Sequence, residues 1–167
     1  VPQLEDLSEK GYARANGMLF WAYYFGYEDY PRDPQKALKY VKKGSDAADP
    51  ICGLLYATYS DISQAEKLEK FRKLRPQVRK MADAKDDLAI LAFGACYFHD
   101  QQYEDAQKYL DQYEKAGGVL AYEMLGLIQQ YIKKEGKRAL TYYEKAAKNK
   151  FYHACLLYTS PSPRDCS

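Results

Sequence analysis

Apolar and aromatic positions recur at helical spacing along almost the whole chain, and the segments that carry them come in pairs. Ala13, Ala15, Leu19, Phe20, Tyr23 and Tyr24 recur in this way up to Gly26, which predicts a helix. Residues 4–9 before it are polar and are expected to fray. After the loop YEDYPR, Asp33-Pro34 supplies a capping side chain and a proline at the first helical position, where its missing N–H costs nothing. The second helix has an inner stripe of Ala37, Leu38, Tyr40 and Val41, with Lys39, Lys42 and Lys43 outward or late, and Gly44 as its expected left-handed stop. The two helices read as a hairpin.

The same alternation continues. Asp49-Pro50 repeats the start signal before Ile51, Cys52, Leu54, Leu55 and Tyr59. Ser63 with Glu66 forms a capping box before Leu68, Phe71, Leu74, Val78, Met81 and Ala82, a run in which Pro76 predicts a kink or two short helices. A helix over 88–99 contains Phe93-Gly94, where a glycine lets helices approach, and its partner carries Tyr103, Ala106 and Leu110 before Gly117-Gly118. A last pair carries Ala121, Leu125-Gly126 and Ile128, then Ala139, Tyr142, Tyr143 and Ala146. KRALTYYEKAAKNKFYHA at 137–154 is echoed by QKALKYVKKGSDAAD at 35–49 and more weakly by EDAQKYLDQYEKAGG at 104–118, so one supersecondary unit is laid down several times. The units run over about 12–48, 49–84, 87–117 and 119–149 of a repeat domain at 1–154, and a fifth is cut off at its start.

Composition changes this picture little. The chain has 167 residues, 47% hydrophobic and 29% charged, with a formal charge of +2, which places it with ordinary globular proteins and does not by itself imply a nucleic-acid or membrane partner. Eighteen tyrosines suit half-buried helix faces, where a ring packs and its hydroxyl stays wet. No apolar run is long enough to span a membrane. The chain begins at Val1, so a signal peptide cannot be assessed. At the other end CLLYTSPSPRD, residues 155–165, resembles the in-frame translation of a transposase sequencing adapter, a read-through artefact of metagenomic assemblies. Residues 155–167 are therefore expected to be a non-native tail. Ala154 is expected to be the last native residue, with 150–154 starting a helix, and the truncated last unit is expected to fray first. Setting the tail aside leaves Cys52 and Cys96, which form no metal motif and read as buried thiols, a weak lean towards the cytoplasm.

From Phe93 to Leu110, the positions of Gly94, Tyr97, Tyr103, Ala106 and Leu110 resemble the tetratricopeptide repeat, without its tryptophan and terminal proline. Two units resemble the Sel-one-like repeat more closely. In the first, Ala15, Leu19, Tyr23, Gly26, Asp33, Lys36, Ala37 and Tyr40 match, with Phe20 in place of a glycine and Tyr40 in place of a tryptophan. In the last, Leu125-Gly126, Arg138-Ala139, Tyr142 and Lys145-Ala146-Ala147 match. The resemblance covers 12–154 and is poor over 61–86. It implies an all-α, right-handed superhelix of about four helical hairpins, with Ala37, Ala106, Ala139 and Ala146 where helices come closest. Proteins of this family are similar to adaptors that hold a protein or peptide partner on a concave face.

The residues single out one candidate surface. Arg72, Arg75 and Arg79 fall on one flank of the segment 67–85, with Lys70, Lys73 and Lys80 on another, and guanidinium forks match carboxylate or phosphate. The plainer reading is a solvated helix face. His99-Asp100 could form an acid–base pair, but a histidine at a helix end more often meets terminal carbonyls. No phosphate loop, nucleophile elbow, zinc spacing or calcium loop is present, so no catalytic, cofactor or metal residue is assigned. The expected function is a non-catalytic interaction scaffold with a protein or peptide partner. The alternatives are acidic-ligand or nucleic-acid binding through 67–85 and a regulatory part of a larger enzyme.

Overall fold

The computed structural model describes Pro2 to Phe151. The adapter-like tail, with Cys155 and Cys166, lies outside the described residues, as does His153. The elements are α1 (Pro2–Glu9), α2 (Ala13–Phe25), α3 (Pro34–Asp46), α4 (Pro50–Tyr59), α5 (Gln64–Asp83), α6 (Asp87–His99), α7 (Tyr103–Lys115), α8 (Tyr122–Leu127) running on into a π-helical turn (Ile128–Ile132), and α9 (Gly136–Lys148). Among the described residues there is no strand, only an isolated antiparallel bridge between Tyr27 and Phe151. The chain is an all-α solenoid, with α2 packed on α3, α4 on α5, α6 on α7 and α8 on α9.

Side chains start α3, α4 and α5 as their sequence signals require. Asp33 accepts from the Lys36 N–H at 3.1 Å, Asp49 from the Cys52 N–H at 2.8 Å and Ser63 from the Glu66 N–H at 3.2 Å. Helix ends differ from expectation. Gly44 does not stop α3, which runs on to Asp46, and the left-handed residue is Ala48 (φ 63°). Six-to-one backbone bonds close this end and several others: Asp49 N–H to Gly44 O, Asp86 N–H to Met81 O, Gln102 N–H to Tyr97 O and Gly118 N–H to Tyr113 O. Gly44 instead lies against α4, where an added Cβ would meet Cys52 Sγ. Residues 4–9 form most of helix α1 rather than a frayed end, because Ser8 donates to Asn16 at 2.6 Å and Tyr23 donates to Glu5 at 2.6 Å.

The two helices of each hairpin bury differently. α2, α4 and α6 are buried on nearly every side, whereas α3, α7 and α9 each bury a single stripe. That stripe repeats in one register: Ala37, Val41 and Gly44; Ala106, Leu110 and Tyr113; Ala139, Tyr143 and Ala146. In α5 the corresponding residues are Leu74, Val78 and Met81, of which only Val78 is fully buried. The stripe starts three residues into the other outer helices and ten into α5, so α5 carries two extra turns at its N-terminus, about 10 Å of helix. It is one continuous 20-residue helix with Pro76 inside it, not two short ones.

The superhelix winds tightly enough to bring its first hairpin onto its last two. Arg14 of α2 makes two hydrogen bonds, 2.7 and 2.9 Å, to Asp86, the residue that caps α6. Past α9, Lys150 is left-handed (φ 64°) and Phe151 pairs with Tyr27, so no helix begins at 150. Phe151 is buried against Phe25 and Tyr27, and Lys150 reaches Glu28 at 2.7 Å. Ala139, Tyr143 and Ala146 are covered, while Tyr131, Ile132 and Leu140 are exposed.

Candidate interaction surface

Aromatic packing fills the contact between α2 and α4. Phe20 and Trp21 are fully buried and pack edge to face at 4.8 Å, and Tyr59 meets Phe20 at 5.1 Å and Tyr24 at 4.9 Å. These rings close α2 against α4. His99 continues the series, its ring 5.2 Å from that of Tyr59, while Asp100 turns towards Arg75 at 3.7 Å. His99 and Asp100 are therefore drawn to different neighbours, an arrangement that serves packing rather than proton transfer. Burial pushes the thiols of Cys52 and Cys96 up, that of Cys96 to about 12, so both are protonated and poor nucleophiles. Cys96 lies 3.0 Å from the Thr58 hydroxyl.

The outer surface is different on α5. Only Val78 and Ala82 of its twenty residues are fully buried, and it carries seven Lys or Arg against three Asp or Glu. Arg72, Arg75 and Arg79 do share a flank, but in three different states. The Arg75 guanidinium lies 5.0 Å from the Phe71 ring centroid and 3.7 Å from Asp100. Arg79 lies 5.3 Å from the centre of the Phe93 ring, on a platform completed by Tyr97 and Tyr109, whose rings stack 5.7 Å apart. The proximity of Tyr109 and Tyr97 raises the already high pKa of Arg79. Arg72 is exposed, and Leu68, one turn before it and 59% exposed, belongs to the two extra turns. The other flank, with Lys70 and Lys73, faces a groove of about 440 Å³ that Ser45, Asp49, Gly53 and Leu74 also line.

Arg75 and Arg79 are each held beside a ring, and Arg79 also lies within reach of the Tyr97 and Tyr109 hydroxyls. Seven residues of helix separate Arg72 from Arg79, a spacing of about 10 Å along the axis. The sequence picked out the three arginines but not Leu68 as part of the surface, nor the Phe93, Tyr97 and Tyr109 platform. The signal for Leu68 was available in the register of the stripe, since Leu74, Val78 and Met81 align with Ala37, Val41 and Gly44 and leave 64–70 without a counterpart.

A second concavity of about 440 Å³ lies between the first and third hairpins, lined by Leu4, Met18, Ala22, Tyr27, Leu88 and Tyr113. The Arg14 to Asp86 pair and the Phe151 contact bound this region and belong to the closure of the superhelix. Lys145 repeats the cation-on-ring theme in the last hairpin, 5.6 Å from the Tyr142 ring, but its charge is met by Glu114 at 3.0 Å. Among the described residues no cluster of His, Cys, Asp and Glu could hold a metal, and no helix is long and apolar enough to cross a membrane.

No family model matches the sequence, and no curated protein matches it. Among solved structures, the chain is similar to a protective antigen present in uropathogenic Escherichia coli strains that displays an SLR fold, that of the Sel-one-like repeat. Identity is 22% and the TM-score 0.40, with 93% of this chain covered and 34% of that one, so this chain spans about a third of that protein's length.

Proposed function

We propose that this chain is a non-catalytic scaffold that holds a protein or peptide partner on the outer flank of its second hairpin. The observation that carries the reading is the contrast between the two kinds of helix. Aromatic packing occupies the inner side at α2 and α4, whereas α5 extends two turns beyond the common register with an exposed leucine and a net positive charge. A segment that buries two residues in twenty adds little to the core, and exposed apolar surface beside ordered charges is a usual feature of binding sites.

Peptides selected from a random display library against the folded chain test this reading. Their binding should fall in the double variant Leu68→Ser, Arg72→Glu, whose two positions are solvent-exposed and whose fold should be unchanged by circular dichroism. Selected ligands that bind the double variant as tightly as the original chain would refute it.

A further inference from the structure

We infer that the segment held on this flank is acidic and carries one apolar anchor, which seats on Leu68 while its carboxylates meet the arginines Arg72, Arg75 and Arg79. The inference rests on the scaffold reading and adds to it the chemistry of the ligand. Charge complementarity supports it first, because the basic excess of α5 is larger than the +2 of the whole chain. Geometry supports it as well. The Arg75 guanidinium is held 5.0 Å from the Phe71 ring centroid, and a carboxylate of this chain, Asp100, already approaches it at 3.7 Å, beyond direct hydrogen-bond length. Asp100 thus acts as a loose internal occupant that a better-placed carboxylate would displace. Arg79, held over Phe93 beside the Tyr97 and Tyr109 hydroxyls, offers a second placed cation, and Arg72 an exposed one.

A protein segment fits this surface better than a nucleic acid does. Leu68 gives a phosphate backbone nothing to bind, and Asp100 stands beside Arg75 and repels a continuous polyanion. A peptide with spaced carboxylates and one apolar side chain avoids that repulsion and uses the leucine.

Fluorescence anisotropy with a defined probe tests the inference. The probe is a short labelled peptide with a central leucine flanked on both sides by glutamates in a glycine-serine background. Arg72→Glu should weaken its binding by about tenfold or more, and Leu68→Ser by roughly fivefold. Asp100→Asn should tighten it, because the internal competitor is removed. A probe with lysine in place of glutamate should not bind. Equal binding of the lysine probe, indifference to Arg72→Glu, or tighter binding of a single-stranded oligonucleotide would overturn the inference. If library-selected ligands depend on Leu68 and Arg72 but the acidic probe does not bind, the ligand chemistry is wrong and the surface stands. If neither depends on them, both readings fall.

Discussion

At Gly44 a methyl group would run into the Sγ of Cys52 and come within 2.7 Å of its Cβ, and at Gly94 it would come within 2.6 Å of Leu110 Cδ2. These contacts join α3 to α4 and α6 to α7, and the backbone at both glycines is helical, so the requirement is space rather than an unusual φ. Gly44→Ala should therefore destabilise the fold by about 1–3 kcal/mol through overpacking, as should Gly94→Ala, in urea unfolding followed by circular dichroism. An unchanged midpoint would mean that the helices are not held this closely. Asp86 carries two structural duties, capping α6 and gripping Arg14. Arg14 is the main cause that holds its carboxyl below the usual range, against the opposing effect of burial. A carboxyl depressed in the folded state contributes stability that is present above the ordinary aspartate value, about 4, and is lost as pH falls through the folded value. Asp86→Ala should cost about 1–2 kcal/mol at neutral pH, mostly from the lost cap, and Asp86→Asn less, because an amide oxygen still caps. Equal losses would mean that the ion pair, not the cap, dominates. The ion pair was not legible in the sequence, since 72 residues separate Arg14 from Asp86, and only the winding of the superhelix brings them together.

Among the elements, the helix ends departed most from their sequence signals. A left-handed end was expected at Gly44 and is found at Ala48; Gly26 and Gly117 are left-handed, but so are Lys85, Gln101 and Lys150. A side chain there costs roughly 1–2 kcal/mol, which glycine avoids. Gln101→Gly and Lys85→Gly should each raise stability, by up to about 1 kcal/mol once the greater freedom of glycine in the unfolded chain is subtracted. A fall in the urea midpoint would show that these side chains contribute contacts of their own. Pro76 argues similarly. It was expected to bring a kink or two short helices, and α5 is one helix of twenty residues, with Leu74 against Gly53 of α4 before the proline and Val78 and Met81 in the core after it. The starts were legible because a side chain makes them, as at Asp33, Asp49 and Ser63. Several ends were not, because backbone bonds make them whatever the residue. The π-helical turn at Ile128–Ile132 was not expected from the sequence.

In the whole molecule the loop of the first hairpin touches the segment past α9, and repeat spacing alone could not say how tightly the superhelix winds. Its all-helical class, its paired helices and the arginine flank were legible from periodicity, because each is a local pattern. The closing contacts were not, because Glu28 and Lys150 are 122 residues apart. Lys150 draws the pKa of Glu28 below its usual range, and the pair is exposed, so its contribution is present above the ordinary glutamate value and disappears as pH falls through the folded one. The contact should loosen first in acid and at high salt, seen as faster amide exchange at 26–30 than in α4; uniform acceleration across the chain would argue against a local clasp. The proposed function places the partner on the outer surface. The most direct test of that claim is hydrogen exchange by mass spectrometry on the chain with and without a bound library-selected or acidic peptide. Binding on the outer flank predicts slowed exchange at 64–83 and at the adjoining 97–109, with 51–59 and 15–25 unchanged. Protection confined to α2 and α4, with α5 unaffected, would contradict it.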